Sequence, residues 1–487
     1  MAKIKSLAAM PYYVVLVYMI AGLLGAGYFH TRSFLVLDVL LYAAAFSCIL
    51  RSGRIMLLPV HVLLLVFTAM YWISAVWAVD VEQAVLEAAK ISSLLPLSLL
   101  FATLSPEQRD RVWSAWAWCG AALTLWGLVF GLFREGRLES TLGYANSYAV
   151  IAAAAIAAGW RAYQQSGYKR YWLACVVSSG GLLLSGSRAV IILAVIGVVL
   201  YIWITGQSKK IAILSALTAA AVLLGGGIAL NVWGGEAAYR EIAWNAPEFA
   251  LRRIYWNDAV HLWRKHWQLG VGGGGWAVLY PSVFVKYAHQ QYLQVALDTG
   301  ILGGLTFIAM ITSSLWAGLR RGHTGRSALL AIILFGIHIA FDIELAYPLI
   351  FGLFIMLLTG AEADGFSARP VRISRWTGAV TALPVVCAIV AFTWLTLGYN
   401  RLAGGESQML RKDWHKAEQS LLGAEKMLPW SHETHYQLAA LYSAIARDKG
   451  DAIYMDKAVQ EMQTASDIIP ENRNYKTMLK QVEKQQE

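Results

Sequence analysis

Long apolar stretches alternate with short polar ones through the first 400 residues of the chain. Thirteen of the apolar stretches have about the length that crosses a bilayer, at 11–29, 34–50, 55–78, 88–104, 112–133, 143–160, 171–186, 188–205, 211–230, 296–319, 327–343, 345–362 and 376–398. Lys3 and Lys5 precede the first apolar run, as basic residues do in a signal peptide. Many further apolar runs follow, however, and the first run is not followed by a convincing cleavage site, so we predict an uncleaved first helix. The pattern predicts an all-α polytopic membrane protein with about 12–13 transmembrane helices.

A polar stretch interrupts this pattern. A large loop over 231–295 separates two apolar runs, and the segment Arg252–Gly304 holds arginines, a glycine run and the sequence Tyr-Ala-His. Lipid satisfies neither an irregular backbone nor charged side chains. We therefore expect this segment to leave the bilayer or line a water-filled cavity, and to carry the chemistry.

The distribution of basic residues predicts the orientation of the chain. With the N-terminus in the cytoplasm, 17 Lys and Arg fall in inner loops and 4 in the short outer loops. This bias follows the positive-inside rule and places the loop 231–295 and the C-terminal tail outside the cytoplasm. The prediction depends on 171–205 being a hairpin that turns at Ser185-Gly186-Ser187, because one long helix would invert the later topology.

Composition narrows the classes of function. The net charge is +10, and residues 400–487 contain 12 Lys+Arg and 13 Asp+Glu, so the excess lies in the membrane part. Such an excess indicates loop topology and no nucleic-acid partner. The four cysteines are scattered without the spacing of metal ligands, so we expect neither a disulfide framework nor a zinc site.

The tail differs in character from the rest of the chain. Three small or turn residues recur with a constant offset of 41, as Ala417, Ala424 and Pro429 and then Ala458, Ala465 and Pro470. The repeat predicts a tetratricopeptide-like helical domain over 399–487, beside a membrane domain over 1–398. Two such units are fewer than these arrays normally need, so the tail is expected to pack on the membrane domain or on a partner protein. An ordinary helical cap is the alternative.

Arg188 is the first candidate site residue. It follows Ser185-Gly186-Ser187 at the outer end of a predicted span. An arginine near a helix end often extends its side chain to the interface only as an anchor. A guanidinium beside small residues also suits a phosphate or diphosphate, whose oxygens it binds in a bidentate way.

The stretch from Pro247 to Trp267 has the pattern of an amphipathic helix. Its polar face carries Arg253, Asn257, His261 and Arg264. An interfacial helix lying on the membrane would show the same pattern. The glycines that follow, at 270 and 272–275, lack the context of a nucleotide-binding loop, and they indicate a flexible turn near a ligand or a return into the membrane.

His289 is the candidate general base. It precedes a predicted helix at the outer membrane face, where a neutral imidazole can accept a proton from a hydroxyl. His338 and Asp342 stand four residues apart at the outer end of another span and could orient a substrate or the base, or simply bond to each other. Arginines with one histidine, and no metal-binding or serine-nucleophile pattern, suit displacement of a phosphorylated leaving group by a hydroxyl.

These residues resemble the O-antigen ligase and polymerase superfamily over roughly 80–400. The resemblance rests on Ser-Gly-Ser-Arg at 185–188, on Arg253 ahead of the glycines at 270–274, and on His289-Gln290-x-x-Leu293-x6-Gly300 followed by Gly303. Gln290 replaces the Asn or Ser of the family pattern, a change that concerns acceptor contacts more than the base.

The resemblance implies an inverting glycosyltransferase that needs no metal or cofactor and uses an undecaprenyl-diphosphate-linked glycan. It implies that Arg188 and Arg253 hold the diphosphate and that His289 activates the acceptor hydroxyl. We assign substrate contacts to Arg264, Tyr287, Gln290, His338 and Asp342. The expected location is the bacterial cytoplasmic (inner) membrane, in contact with its lipids, with the site outside the cytoplasm.

Three acceptors remain open: another lipid-linked glycan, a lipid core, or a protein side chain. The tail favours a polymerase or an envelope-polymer ligase, because helical repeats could recruit a partner protein or the growing chain. A flippase for lipid-linked glycans would also use outward-facing arginines, but it should show repeated halves, and the sequence has no such symmetry.

Overall fold

The computed structural model describes residues 2–205, 247–280, 285–366, 370–372 and 375–486. The predicted span 211–230 and part of the predicted loop 231–295 lie outside these ranges. Elements are numbered below over the described residues alone.

Helices form nearly all of the described chain. In the first part, the α-helices are α1 (Ala2–Leu24), α2 (Thr31–Ser52), α3 (Pro59–Ser74), α4 (Val81–Ser92), α5 (Leu94–Ala102), α6 (Pro106–Val129), α7 (Ala145–Ser166), α8 (Arg170–Leu184) and α9 (Arg188–Thr205). In the second part, they are α10 (Pro247–Lys265), α11 (Gly275–Leu279), α12 (Gln291–Arg320), α13 (Arg326–His338), α14 (Pro348–Gly365) and α15 (Arg375–Leu410).

The helices confirm the prediction of an all-α polytopic membrane protein. Seven helical segments of the described residues are long and apolar enough to cross a membrane: Thr31–Ser52, Pro59–Trp77, Val81–Ala102, Pro106–Val129, Gln291–Arg320, Pro348–Gly365 and Ala382–Leu410. Four shorter apolar helices accompany them, at Met10–Leu24, Arg170–Leu184, Arg188–Ile204 and Arg326–His338.

Local sequence fixes where these helices begin and how closely they pack. At the start of α6, Ser105 and Gln108 form a capping box and Pro106 occupies the first turn, where its missing N–H costs nothing. Within α6, a Cβ added to Gly120 would overlap Ala155 of α7. Small residues of this kind let membrane helices approach closely.

Two short antiparallel strand pairs mark opposite ends of the bundle. Strand β1 (Arg54–Met56), after α2, pairs with β4 (Pro370–Arg372), after α14, with Ile55 opposite Val371. Strands β2 (Phe133–Arg134) and β3 (Arg137–Leu138) form a hairpin after α6. The first pair joins two loops that the charge pattern assigns to the same side.

The segment 171–205 forms two helices rather than one. Helix α8 ends at Leu184 and α9 begins at Arg188. Near the far end of α9, the Tyr201 hydroxyl donates to Gln164 Oε1 at the end of α7 (2.5 Å), and Arg326 at the start of α13 donates to the Ile204 carbonyl (3.1 Å). Since α9 returns to the end of the bundle from which α8 starts, the predicted hairpin is confirmed.

Four further helices follow α15: α16 (Trp414–Met427), α17 (His432–Lys449), α18 (Ala452–Ile468) and α19 (Arg473–Gln486). The four repeat alanines, Ala417, Ala424, Ala458 and Ala465, are all fully buried. Helix α15 continues without interruption through the predicted domain boundary at 398/399 and ends at Leu410. The tetratricopeptide-like classification and the two-domain division stay predictions.

Candidate active site

His289 stands immediately before the N-terminus of α12. Its backbone has φ +52°, in the left-handed region that few residues other than glycine adopt. Gln290, the next residue, is the N-cap, and its side chain accepts from Leu293 N. The amide of Gln291 donates to the Ile339 carbonyl (2.9 Å). The strained turn is thus fixed from both sides and directs the imidazole, 23% exposed, toward the loop after α13.

Asp342, in that loop, holds the imidazole. The Nδ1 atom of His289 lies 3.2 Å from Asp342 Oδ1, which also accepts from the Tyr144 hydroxyl (2.8 Å). The aspartate side chain is only 2% exposed. Burial opposes its ionisation, but the hydrogen bond from His289 and the positive charge of Arg252 outweigh burial and hold the pKa of Asp342 well below its usual range. A buried carboxylate therefore orients His289.

The arginine beside this pair is Arg252. Its Nη2 lies 3.3 Å from Asp342 Oδ2, and its Nη1 donates to the Phe341 carbonyl. Arg253, the residue that the sequence indicated, has an exposed side chain on another face of α10, and so does Arg264. Helical geometry explains the difference, because Arg252 shares the packed face of α10 with Tyr255 and Ala259, three and seven residues further on.

Helix α10 supplies one wall of the site through aromatic side chains. The Tyr255 ring stacks on the His289 ring, with centroids 6.1 Å apart. Trp256 Nε1 donates to the His289 carbonyl (3.2 Å), and its indole packs against Phe341. The imidazole is therefore enclosed between α10 and the loop that carries Asp342.

A chain of hydrogen bonds connects His289 to the turn before Arg188. Asn146 Nδ2 donates to Asp342 Oδ2, and Asn146 Oδ1 accepts from Arg137 Nη2 (2.6 Å). Arg137 Nε in turn donates to the Ser185 carbonyl (2.8 Å). Arg188 begins α9 three residues beyond Ser185 and is half-buried. The sequence-predicted Arg188 and His289 thus lie at the same end of the bundle.

The other predicted contact residues occupy different positions. His338 is buried with Nε2 3.0 Å from Glu344 Oε1, so it pairs with Glu344 rather than with Asp342. The Tyr287 hydroxyl donates to Glu87 Oε1 (3.4 Å). Gln290 lines a small cavity beside His289, as do Tyr287 and Asp342.

This cavity extends from His289 between α3, α4 and α12. Its polar lining also includes Tyr71, Glu87, Gln291, Gln294 and Asp298. Both polar atoms of the Gln294 side chain are bonded, since its Nε2 donates to Asp298 Oδ1 (2.8 Å) and its Oε1 accepts from Ala288 N (2.8 Å). Carboxylates, amides and tyrosines surround the space next to the imidazole.

The glycine run braces α12 instead of forming a free turn. At Gly300 the backbone of α12 has φ +72° and breaks its helical pattern. Just before this kink, the carbonyl of Leu297 accepts from Val271 N (2.7 Å) and that of Asp298 accepts from Gly272 N (3.2 Å). The glycines therefore allow backbone to approach backbone, and they fix the helix that begins at the candidate base.

Replacing Gly300 with alanine is expected to destabilise the protein by several kcal/mol. A Cβ there would overlap the backbone of Gln268 at a φ that L-residues rarely adopt. Thermal unfolding of the purified protein in detergent measures the effect. Gly180→Ala is the matched control, because a Cβ at Gly180 meets nothing within 4 Å. An unchanged melting temperature for Gly300→Ala would contradict the tight packing at the kink.

Sequence reasoning missed four residues of this site: Arg137, Tyr144, Asn146 and Arg252. Tyr144 and Asn146 stand at the outer end of the predicted span 143–160, where polar residues are unusual enough to be noticed. Arg252 could have been found from the spacing of Tyr255 and Ala259 on its own face. No sequence signal connects Arg137 with Ser185, because only folding brings them together.

The site thus defines a polytopic membrane protein with a histidine–carboxylate pair among arginines. Residues 173–308 match the family described as O-antigen ligase, a region that contains the turn before Arg188, helix α10 and His289. This match over part of the chain supports the resemblance to the O-antigen ligase and polymerase superfamily, and it indicates a glycan-transferring, ligase-like role. No curated protein matches the chain.

Proposed function

We propose that the protein transfers or polymerises a glycan from an undecaprenyl-diphosphate-linked donor onto an acceptor hydroxyl at the outer face of the bacterial cytoplasmic membrane. The observation that carries the proposal is the contact between His289 and Asp342 beside Arg252. Such a pair supplies a base, and the arginines supply positive charge for a phosphorylated leaving group.

His289 is proposed as the general base through Nε2. Because Nδ1 faces the ionised Asp342, the proton of the neutral imidazole sits on Nδ1 and leaves Nε2 free to accept. As Nε2 takes the proton of the acceptor hydroxyl, the oxygen attacks the anomeric carbon. The bond from that carbon to the diphosphate oxygen breaks, and lipid diphosphate leaves with inversion at the sugar.

The diphosphate is proposed to lie against Arg188 and Arg253, with Arg264 further along the exposed face of α10. The exposed guanidinium groups of Arg253 and Arg264 can turn toward a ligand, and the planar form of a guanidinium matches phosphate oxygens. Arg252 is already paired with Asp342, so it contributes mainly by stabilising the aspartate charge. Each charge-stabilising donor of this type is worth about 100- to 1,000-fold in rate.

Arg188→Ala and Arg253→Ala are each expected to lower glycan transfer by at least about 100-fold while the protein remains in the membrane. Arg51, an exposed arginine in the last turn of α2 at the opposite end of the bundle, gives the matched control, and Arg51→Ala should transfer normally. Product is measured with a lipid-diphosphate glycan and purified variants. Wild-type product from either variant removes that arginine from the proposed donor site.

Reconstitution in vesicles tests the function itself. Release of undecaprenyl diphosphate together with a longer or transferred glycan supports the enzyme. Offering a lipid-linked glycan, a lipid core and a peptide as separate acceptors identifies the acceptor among the three alternatives. Movement of intact donor across the bilayer without bond cleavage would overturn the proposal in favour of a flippase.

A further inference from the structure

The C-terminal helices dock on the membrane domain through a buried carboxylate. Glu82, in the first turn of α4, is 1% exposed. Its Oε1 accepts from the Tyr399 hydroxyl (2.9 Å) and the Ser431 hydroxyl (2.8 Å), and its Oε2 accepts from the amide of Glu433 (3.1 Å). Three donors from 399–433 thus converge on one side chain, which explains how a charged group is buried there.

A histidine also lies at this junction. His432 Nε2 lies 3.4 Å from Asp80 Oδ1 and 3.5 Å from Glu82 Oε2, and Nδ1 lies 2.8 Å from the Tyr475 hydroxyl. Asp80 is the N-cap of α4 and accepts from Gln83 N (2.9 Å). Helices α15, α17 and α19 therefore meet at the N-terminus of α4.

Helix α4 also reaches the candidate site. Five residues after Glu82, the side chain of Glu87 lines the cavity beside His289, bound to Lys90 Nζ (2.7 Å) and to the Tyr287 hydroxyl (3.4 Å). Tyr287 precedes the candidate base by two residues. The distance along the helix from Glu82 to Glu87 is only about 7.5 Å, since each residue rises about 1.5 Å.

The glycine run packs on α4 as well. A Cβ at Gly273 would overlap Glu87, and one at Gly274 would overlap Gln83. The Val79 amide donates to the Val271 carbonyl (3.1 Å). A shift of α4 would consequently disturb both the cavity and the segment that braces the kink of α12.

We propose that Glu82 is a positioning residue, through which the C-terminal helices hold α4 so that Glu87 and the Tyr287–His289 segment keep their places beside the acceptor. The proposal rests on the proposed function for its kinetic consequence. Its structural consequence, that loosening the junction loosens residues 285–290, is independent of catalysis.

Three variants of the full-length protein test the proposal. Glu82→Gln replaces one of the two accepting oxygens with an NH2 group, which cannot accept, and it removes the charge that strengthens the remaining bonds. Tyr399→Phe removes one donor with little change of shape. Glu461→Gln is the control, because it breaks a hydrogen bond of similar length within the tail, from His435 Nδ1 to Glu461 Oε2 (2.7 Å). Amide hydrogen exchange of 81–92 and 285–290 is measured in lipid nanodiscs, and transfer kinetics are measured with a lipid-diphosphate glycan.

Glu82→Gln and Tyr399→Phe are expected to speed exchange in both segments and to raise the acceptor KM by about tenfold, with the donor KM unchanged. Glu461→Gln should leave all of these as in the wild type. A variant that is merely unstable would lose active protein and lower kcat at unchanged KM. The proposal is overturned if exchange rises only in the tail while the acceptor KM stays constant. If the wild type transfers no glycan, the proposed function fails. Amide exchange at 285–290 then tests by itself whether the C-terminal helices hold that segment in place.

Discussion

Replacing His289 with alanine is expected to reduce glycan transfer by roughly 100- to 10,000-fold. The side chain is the one imidazole that borders the cavity among the described residues, and its Nε2 is the atom left free by Asp342. Without a base, the acceptor hydroxyl must lose its proton to water as it attacks. The rate with a lipid-diphosphate glycan and purified protein is the measurement.

His266→Ala is the matched control for this variant. His266 follows α10 with an exposed side chain, so its loss should leave transfer and melting temperature unchanged. His289→Ala removes a half-buried side chain that stacks on Tyr255, and it is expected to cost little stability. Wild-type product from His289→Ala in a properly folded protein would rule out the histidine as the base.

Asp342→Asn is expected to lower transfer by a comparable factor, about 100-fold or more, although it changes the side chain by one atom. Asp342 Oδ2 accepts from Asn146 and Arg252, and Oδ1 accepts from the Tyr144 hydroxyl and the amide of Ile343, so an asparagine must turn its NH2 toward one of these two sets of donors. With the NH2 on the Oδ1 side, it would donate to His289 Nδ1 and force the imidazole proton onto Nε2, the wrong nitrogen for the base. With the amide oxygen on that side, the neutral oxygen would hold the Nδ1 proton more weakly than the carboxylate does.

A second carboxylate at the opposite end of the bundle provides the control. Asp364 pairs with Arg109 and Arg321 away from the candidate site, so Asp364→Asn removes a similar pair without touching His289. Asp342→Asn should lose activity far beyond this control at equal membrane abundance. Equal activities of the two variants would show that Asp342 has no role in orienting the base.

Much of the architecture could be predicted from the sequence because membrane helices are specified locally. An apolar run of sufficient length must be helical in lipid, since only a helix satisfies its own backbone there. The break between α8 and α9 was also predictable, because small polar residues at 185–187 interrupt two apolar runs. The continuation of α15 past Tyr399 was not, since the change in composition there coincides with no break in helical propensity.

The candidate site was predicted only in part. His289 and Asp342 were both identified from the sequence, and Asp342 was linked with His338, through their spacing of four, as a pair that could orient a substrate or the base. In the structure His338 faces Glu344, because α13 ends at His338 and Asp342 lies in the loop beyond it. A spacing argument for a helix fails where the helix has already ended.

The sequence by itself determined the class of the protein, the helices, the turn before Arg188 and the identity of the candidate base. These depend on composition and on neighbours along the chain. Only the tertiary structure decided that Asp342 orients His289, that Arg252 rather than Arg253 faces the aspartate, and that Glu82 joins the tail to the site. Each of these contacts joins residues 53 or more positions apart in different helices or loops, and hydropathy carries no information about which polar groups meet when helices pack.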